Sequence, residues 1–330
     1  MGSERWYLYY FREEITMDSI VLASGNINVD CTVVVDEIPE TGEVEVLDFY
    51  IGGGGSAANY AVALAKLGVA VRFLGCIGDD LLSNIALKDL RTYCVDLSFV
   101  RRVHGERTGL VIVVVRKRRG DKVMFAYRGA NRYEPEVPLD RALVGVVHVH
   151  AAGTKVKYFH ELFKVATERG CTTSYDPGPV ACSKGLSFLD PVLRYTKYLF
   201  IGADELMNLV GCSDVESAAR KLIANYPQIV VVARIGKGEV AEYWRDMGQI
   251  RCVKVSIPPV LHVVDPTGAG DVFDAAYTYG LLRRYSTESR LYLALAAASI
   301  KIQRKGARAG PVLDELLKYL SDLGIELSGE

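Results

Sequence analysis

Near the end of the chain, Val264-Asp265-Pro266-Thr267-Gly268-Ala269-Gly270-Asp271 ends an extended run, passes through small residues and enters a helix behind a carboxylate. Gly268, Ala269 and Gly270 let consecutive backbone N–H groups face a ligand, and the positive end of the helix favours negative charge there. Asp271 stands where it can take a proton from a nucleophile. The following helix is credible because Val272, Ala275, Ala276, Tyr279 and Leu282 fall on one face at helical spacing. The seven residues from Asp265 to Asp271 also suit an ordinary Gly-rich turn with an acid in the first helical turn, so the rest of the chain must decide.

Two further segments could work with that one. Gly25-Asn26-Ile27-Asn28-Val29-Asp30 follows a strand-like run, and Gly54-Gly55-Ser56-Ala57-Ala58-Asn59 opens a small-residue helix followed by Gly75-Cys76-Ile77-Gly78-Asp79-Asp80. A carboxylate at Asp30 and an amide at Asn59 suit a vicinal diol, whose hydroxyls both donate and accept. The segment from Gly54 and the segment ending at Asp271 resemble, in order and separation, the two signatures of the ribokinase-like carbohydrate kinases, the PfkB family. The similarity runs from about residue 20 to about residue 315.

That resemblance implies a three-layer α/β/α domain with a mostly parallel central sheet and a small β-sheet lid. It implies Asp271 as the base that deprotonates the acceptor hydroxyl, with Gly268, Ala269 and Gly270 as the anion hole. Asn28, Asp30, Gly54, Gly55 and Asn59 would bind the sugar, and Arg128 would meet a substrate phosphate or only solvent. Arg234, Gly236, Lys237 and Gly238, with Thr267 and Gly270, would hold the nucleotide, ATP. Glu205 would organise Mg²⁺ through water, although Gly202 stands where relatives carry Asn. Asp265 and Thr267, with carbonyls of Lys301, Arg304 and Gly306, would form the monovalent-cation site of K⁺-activated members, although Gly310 replaces a common Ser. Arg234 likewise replaces the usual Thr of its turn.

The implied reaction is ATP-dependent phosphorylation, and Asn59, Asp30, Pro266 and Ser56 in place of a ribokinase Lys favour the 5-hydroxyl of a ribosyl compound: a nucleoside, ribose 1-phosphate or ribose. A hexose phosphate or 2-keto-3-deoxygluconate is the alternative. Gly53-x-Gly55-x-x-Ala58 also imitates a dinucleotide fingerprint, but an NAD-dependent enzyme leaves Asp30 and Asp271 without a task. A silent sugar sensor is a third class, disfavoured by an intact Asp271. No G-x-x-x-x-G-K-[ST] segment occurs. His148 and His150 share a strand face without a third ligand nearby, which reads as a core-edge pair.

The elements that must position these groups alternate. Strands at 19–23, 71–77, 144–150, 172–175, 198–201 and 229–233 are separated by helices at 57–67, 158–168, 186–195 and 213–225, the pattern of a parallel sheet covered on both faces. Two stretches break the rhythm as hairpins: 30–36 with 44–49, and 109–115 with 122–127 across Arg118-Arg119-Gly120-Asp121. They read as a lid, with lid strands from about 30–50 and 107–128, and in the family such a lid is often a homodimer surface. Helices follow at 289–304 and 312–323.

Composition agrees with a small-molecule enzyme. The 330 residues are 50% hydrophobic with a formal charge of −1, so no global field favours nucleic acid or membrane. Apolar runs are strand-sized and no signal segment is visible, which predicts a cytoplasmic protein. Seven dispersed cysteines without a C-x-x-C pair predict mostly buried thiols; with only three Gln, a depletion resembling hyperthermophile proteins, one bridge remains open. Residues 1–16, aromatic and charged, read as an N-terminal extension to a kinase domain at 17–330.

Overall fold

The computed structural model describes residues 19–119, 121–236 and 238–330. The expected extension at residues 1–16, Gly120 of the lid turn and Lys237 lie outside the described residues. The described residues form thirteen strands: β1 (Ile20–Gly25), β2 (Asn28–Val35), β3 (Asp48–Gly54), β4 (Ala70–Gly78), β5 (Val100–Val103), β6 (Gly109–Arg116), β7 (Asp121–Tyr127), β8 (Val146–Ala152), β9 (Thr172–Asp176), β10 (Tyr198–Gly202), β11 (Val230–Gly236), β12 (Glu239–Asp246) and β13 (Gln249–Ser256).

Nine of them make one sheet in the order β13-β12-β11-β10-β9-β8-β1-β4-β5. It is parallel from β11 to β5, and only β12 runs against the rest, pairing antiparallel with β11 on one side and β13 on the other. Such strands are apolar on both sides because helices cover both faces. The β12–β13 hairpin is absent from the sequence reading; its turn puts Met247 at φ 44 and Gly248 at φ 83, the type I′ geometry usually signalled by Asn-Gly. The helix Leu82–Thr92 is a second addition.

The remaining four strands form the expected small sheet, in the order β3-β2-β6-β7. Its two hairpins are joined by parallel pairing of β2 with β6. One boundary moves. The strand expected at 44–49 is Asp48–Gly54, with Val34 opposite Asp48 and Asn28 opposite Gly54. Val44, Val46 and Leu47 are exposed, and Pro39 and Gly42 spread the connection before pairing starts.

Small residues decide how the site comes together. Ala57, Ala58 and Ala61 of the helix Ser56–Lys66 share one core with Ala275 and Ala276 of the helix Ala269–Leu282. With little more than methyl groups between them, the two helices approach closely and their N-terminal ends lie side by side. His148 and His150 are buried between β8 and β9, where His148 bonds the hydroxyls of Thr172 at 2.7 Å and Ser174 at 2.8 Å. Burial pushes both imidazoles down to about 3, so they are neutral core groups. All seven cysteines are free, with Cys76, Cys171 and Cys182 buried and Cys94 and Cys252 exposed.

Lid and body are pinned at one side chain that the sequence reading passed over. Asn131 accepts from the Ile27 N–H at 3.1 Å, donates to the Ile27 carbonyl at 2.9 Å and to Asn28 Oδ1 at 2.7 Å. Asn131→Ala leaves the buried Ile27 backbone groups unpaired, a loss of about 1–3 kcal/mol. Thermal unfolding of the variant should start at lower temperature than wild type; an unchanged midpoint would remove Asn131 from this role.

Candidate active site

A cleft of about 320 Å³ opens between the inner face of the lid sheet and the ends of the main-sheet strands. Asp30, Asn28, Gly55, Asn59, Arg128, Thr267, Gly268, Gly270 and Asp271 all line it, so residues from both resemblance-bearing segments and the lid meet at one place. Gly178 and its neighbours after β9, which no sequence argument singled out, complete the wall.

Asp271 lies in the first turn of Ala269–Leu282, behind Gly268 in the left-handed conformation at φ 79. A Cβ on Gly268 would meet the Ala307 carbonyl oxygen at 2.3 Å, so the turn demands glycine twice over. Asn59 donates from Nδ2 to Asp271 Oδ2 at 2.8 Å. Burial, seconded by the nearby Asp176 carboxylate, pushes Asp271 up to about 7 against the hydrogen bonds of Asn59 and Ser56 and the charge of Arg234. A carboxylate poised there is a competent general base at neutral pH.

Asp30 faces the same cleft from β2. Its Oδ1 is buried without a hydrogen-bond partner, and burial raises the carboxyl to about 6 despite Arg308. Close approach of β3 makes this possible, since a Cβ on Gly54 would fall 2.2 Å from the Asp30 carboxylate. An orphaned buried acceptor is expensive unless a ligand satisfies it. Arg308 lies behind these groups and was missed from sequence. It donates to Asn59 Oδ1 at 3.2 Å, the Gly54 carbonyl at 3.0 Å and the Ala86 carbonyl at 2.8 Å.

Arg234, expected on the nucleotide, instead turns its guanidinium inward, because two buried carboxylates hold it. It donates to Asp176 Oδ2 at 3.0 Å and to Asp274 Oδ1 at 2.9 Å. Burial drives the Asp274 carboxyl well above its ordinary range, while Arg234 holds Asp176 below it against the same burial. The guanidinium is thus flanked by two buried carboxyl groups shifted in opposite directions. Nη1 sits directly behind Gly270, where an added Cβ would lie 3.0 Å from it.

The other expected residues are more scattered. Glu205 accepts from the Gly202 N–H at 3.0 Å as a helix cap. Gly236 at φ 94 and Gly238 at φ 80 both take left-handed backbone at and just after the end of β11. Asp265 closes its own loop, accepting from Thr267 N–H and Gly306 N–H at 2.9 Å each. The imitation of a dinucleotide fingerprint dissolves, because the strand before Gly55 belongs to the lid and not to a βαβ unit of the main sheet.

Comparison with known proteins finds relatives along most of the chain. The family model for pfkB family carbohydrate kinases matches residues 19–314. An ATP-dependent ribose-1-phosphate kinase of Halopiger xanaduensis is 30% identical over 306 residues, covering 92% of this chain and 98% of its own. A nucleoside kinase of Methanocaldococcus jannaschii is 26% identical, over 81% of this chain and 85% of its own. The structure of Arabidopsis thaliana ribokinase complexed with ribose and ATP superposes with a TM-score of 0.80 at 26% identity, covering 92% of this chain and 98% of that one.

The titration of Asp271 gives a measurable expectation. A base must be deprotonated to act, so kcat/KM should fall as pH drops through about 7 and level off above it. Asn59→Ala removes a bond that favours the carboxylate and should move this limb to higher pH. Asp271→Asn should cost roughly 10²- to 10⁴-fold in kcat. A limb unmoved by Asn59→Ala, or wild-type turnover in Asp271→Asn, would sink the assignment.

Proposed function

The chain belongs to the pfkB family of carbohydrate kinases, a phosphotransferase with an alcohol group as acceptor, and we propose that it phosphorylates the 5-hydroxyl of a ribosyl compound, ribose 1-phosphate foremost. One observation carries this reading: Asp30, with its orphaned acceptor, lines the same cleft as Asp271 and the cationic Arg128. Hydroxyls of the pentose donate to Asp30 and pair with Asn59, and Arg128 meets the anomeric phosphate. Nucleosides and ribose are neutral acceptors that leave Arg128 without a task.

The step is an in-line displacement. Asp271 takes the proton of the 5-hydroxyl as that oxygen attacks the terminal phosphorus of ATP; the bond to the β,γ-bridging oxygen breaks and ADP leaves. N–H groups of Ala269 to Asp271, with the Arg234 guanidinium behind Gly270, stabilise charge on the transferring phosphoryl group. Gly236, Lys237, Gly238 and Thr267 serve the nucleotide. Glu205 would reach Mg²⁺ through water, and the ion would supply neutralisation of phosphate charge.

We also place a homodimer contact on the outer face of the lid. Ile51, Cys31, Ile112 and Phe125 stand in one cross-strand row there, beside a second row from Phe49. Phe49 is 67% and Phe125 56% exposed, an apolar surface of the kind that partners cover. Light scattering should report a dimer for wild type and a monomer for Phe125→Glu; a monomeric wild type removes the contact.

The acceptor is tested with a coupled assay over ribose 1-phosphate, ribose, inosine, 2-deoxyribose 1-phosphate and fructose 6-phosphate. Ribose 1-phosphate should lead, and its 2-deoxy counterpart should lose about tenfold in kcat/KM, because one hydroxyl less leaves a buried group unpaired. Arg128→Met should raise KM for ribose 1-phosphate and leave KM for ATP unchanged. Efficient turnover of fructose 6-phosphate alone would transfer the assignment to hexose phosphates.

A further inference from the structure

The monovalent-cation site implied by sequence is made of oxygens from the loop at Asp265 and from the end of the helix Thr287–Ile302 with its following turn. Those segments do meet: the N–H groups of Val264 and Asp265 donate to the Ile302 carbonyl at 2.8 and 3.1 Å, and Gly306 N–H donates to Asp265 Oδ2. Yet the space between them is filled. Lys301, 0% exposed, bends its side chain back into it and donates from Nζ to the Asp265 carbonyl at 2.6 Å and the Arg304 carbonyl at 3.5 Å. Asp265 Oδ2 is 3.8 Å away. The ammonium thus donates to two backbone carbonyls and pairs in charge with a carboxylate, all from two of the residues expected around the ion. Gly310 brings no hydroxyl that could enlarge the nest. The residues present therefore do not fit a free monovalent cation.

We propose that the Lys301 ammonium is a tethered replacement for the monovalent cation, so that this kinase works without K⁺. A free ion must be captured and can leave; a tethered one is always present and carries no association cost. Its charge anchors the Asp265 carbonyl, and with it the Pro266-Thr267-Gly268 turn that aims the anion-hole N–H groups. Lys301 is thus a positioning residue: it touches neither the acceptor nor the phosphoryl group, and acts through the backbone that does.

The proposal rests on the kinase reading and is tested so that the two can fail separately. Turnover of wild type is compared in tetramethylammonium, Na⁺, K⁺ and NH₄⁺ chlorides at constant ionic strength, and should be the same in all four. Lys301→Ala should lose about tenfold or more in kcat in tetramethylammonium, which is too large for the nest, and regain it saturably in K⁺ or NH₄⁺. Thermal unfolding provides the second readout: K⁺ should raise the midpoint of Lys301→Ala by mass action and leave that of wild type unchanged. Lys301→Met, which keeps the volume of the stem, replaces the alanine variant if that fails to fold. Wild type that requires K⁺, a variant with full kcat in tetramethylammonium, or a variant whose losses K⁺ does not restore in either readout overturns the proposal. No turnover of any ribosyl acceptor in any salt would fault the kinase reading instead, while the unfolding midpoints would still report whether the nest is filled.

Discussion

The hydrogen bond from Asn59 to Asp271 joins residues 212 positions apart and ties together nearly everything that concerns function. It exists because two alanine-faced helices pack closely enough for their N-terminal ends to touch. One end brings the amide and, with Gly55, one wall of the cleft. The other brings Gly268, Gly270 and Asp271, on the proposed reading the anion hole and the base. Any residue larger than alanine on the shared face would separate the helix ends, and with them the acceptor from the phosphate.

Around that contact three buried or nearly buried cations stand behind backbone, not in front of it. Arg308 lies behind Gly53 and Gly54, Arg234 behind Gly270, and Lys301 behind the Asp265 carbonyl. Their glycine neighbours are required by space: a Cβ on Gly53 would sit 2.1 Å from Arg308 Nη1. Each cation has carboxylate company, Asp89 for Arg308, Asp176 and Asp274 for Arg234, and Asp265 for Lys301. Charges fixed in this way need no reorganisation when negative charge develops in the cleft, which is where preorganised electrostatics contributes most. They are costly to leave unpaired, so the pairing carboxylates belong to the site as much as the cations do.

Residues with a local signature were legible from sequence. Gly268 to Asp271 announce their conformation through size and order, and the alternation of strands and helices announced the parallel sheet. Asn131, Arg308, Asp176 and Asp274 carry no such mark, because their roles come from partners 40 to 254 residues away. Arg234 shows the limit most plainly. Its place in a turn suggested a nucleotide contact, but the destination of its side chain depended on two acids in other elements. Lys301 was quoted for its carbonyl, and nothing local distinguishes a lysine that faces solvent from one that folds back under a loop. The strand placed at 44–49 slipped because β-branched residues there outweighed a pairing register set by three glycines further on.

The lid sets the polarity of the cleft. Asp30, Thr32 and Val34 alternate onto its inner face, with Val111 opposite Asp30 in the parallel pairing of β2 and β6. An isolated carboxylate on a sheet face lined with valines is desolvated before any acceptor arrives, and Asp30 is accordingly raised to about 6 with one oxygen unpaired. On the proposed reading, the acceptor's hydroxyls supply the missing hydrogen bonds, so the site gains most from the ligand that can donate twice at fixed separation. On the same reading these apolar surroundings would keep water from the terminal phosphate, where hydrolysis competes with transfer. Discrimination among acceptors and protection of the nucleotide would then share one cause, the burial of a single carboxylate on the inner face of the lid.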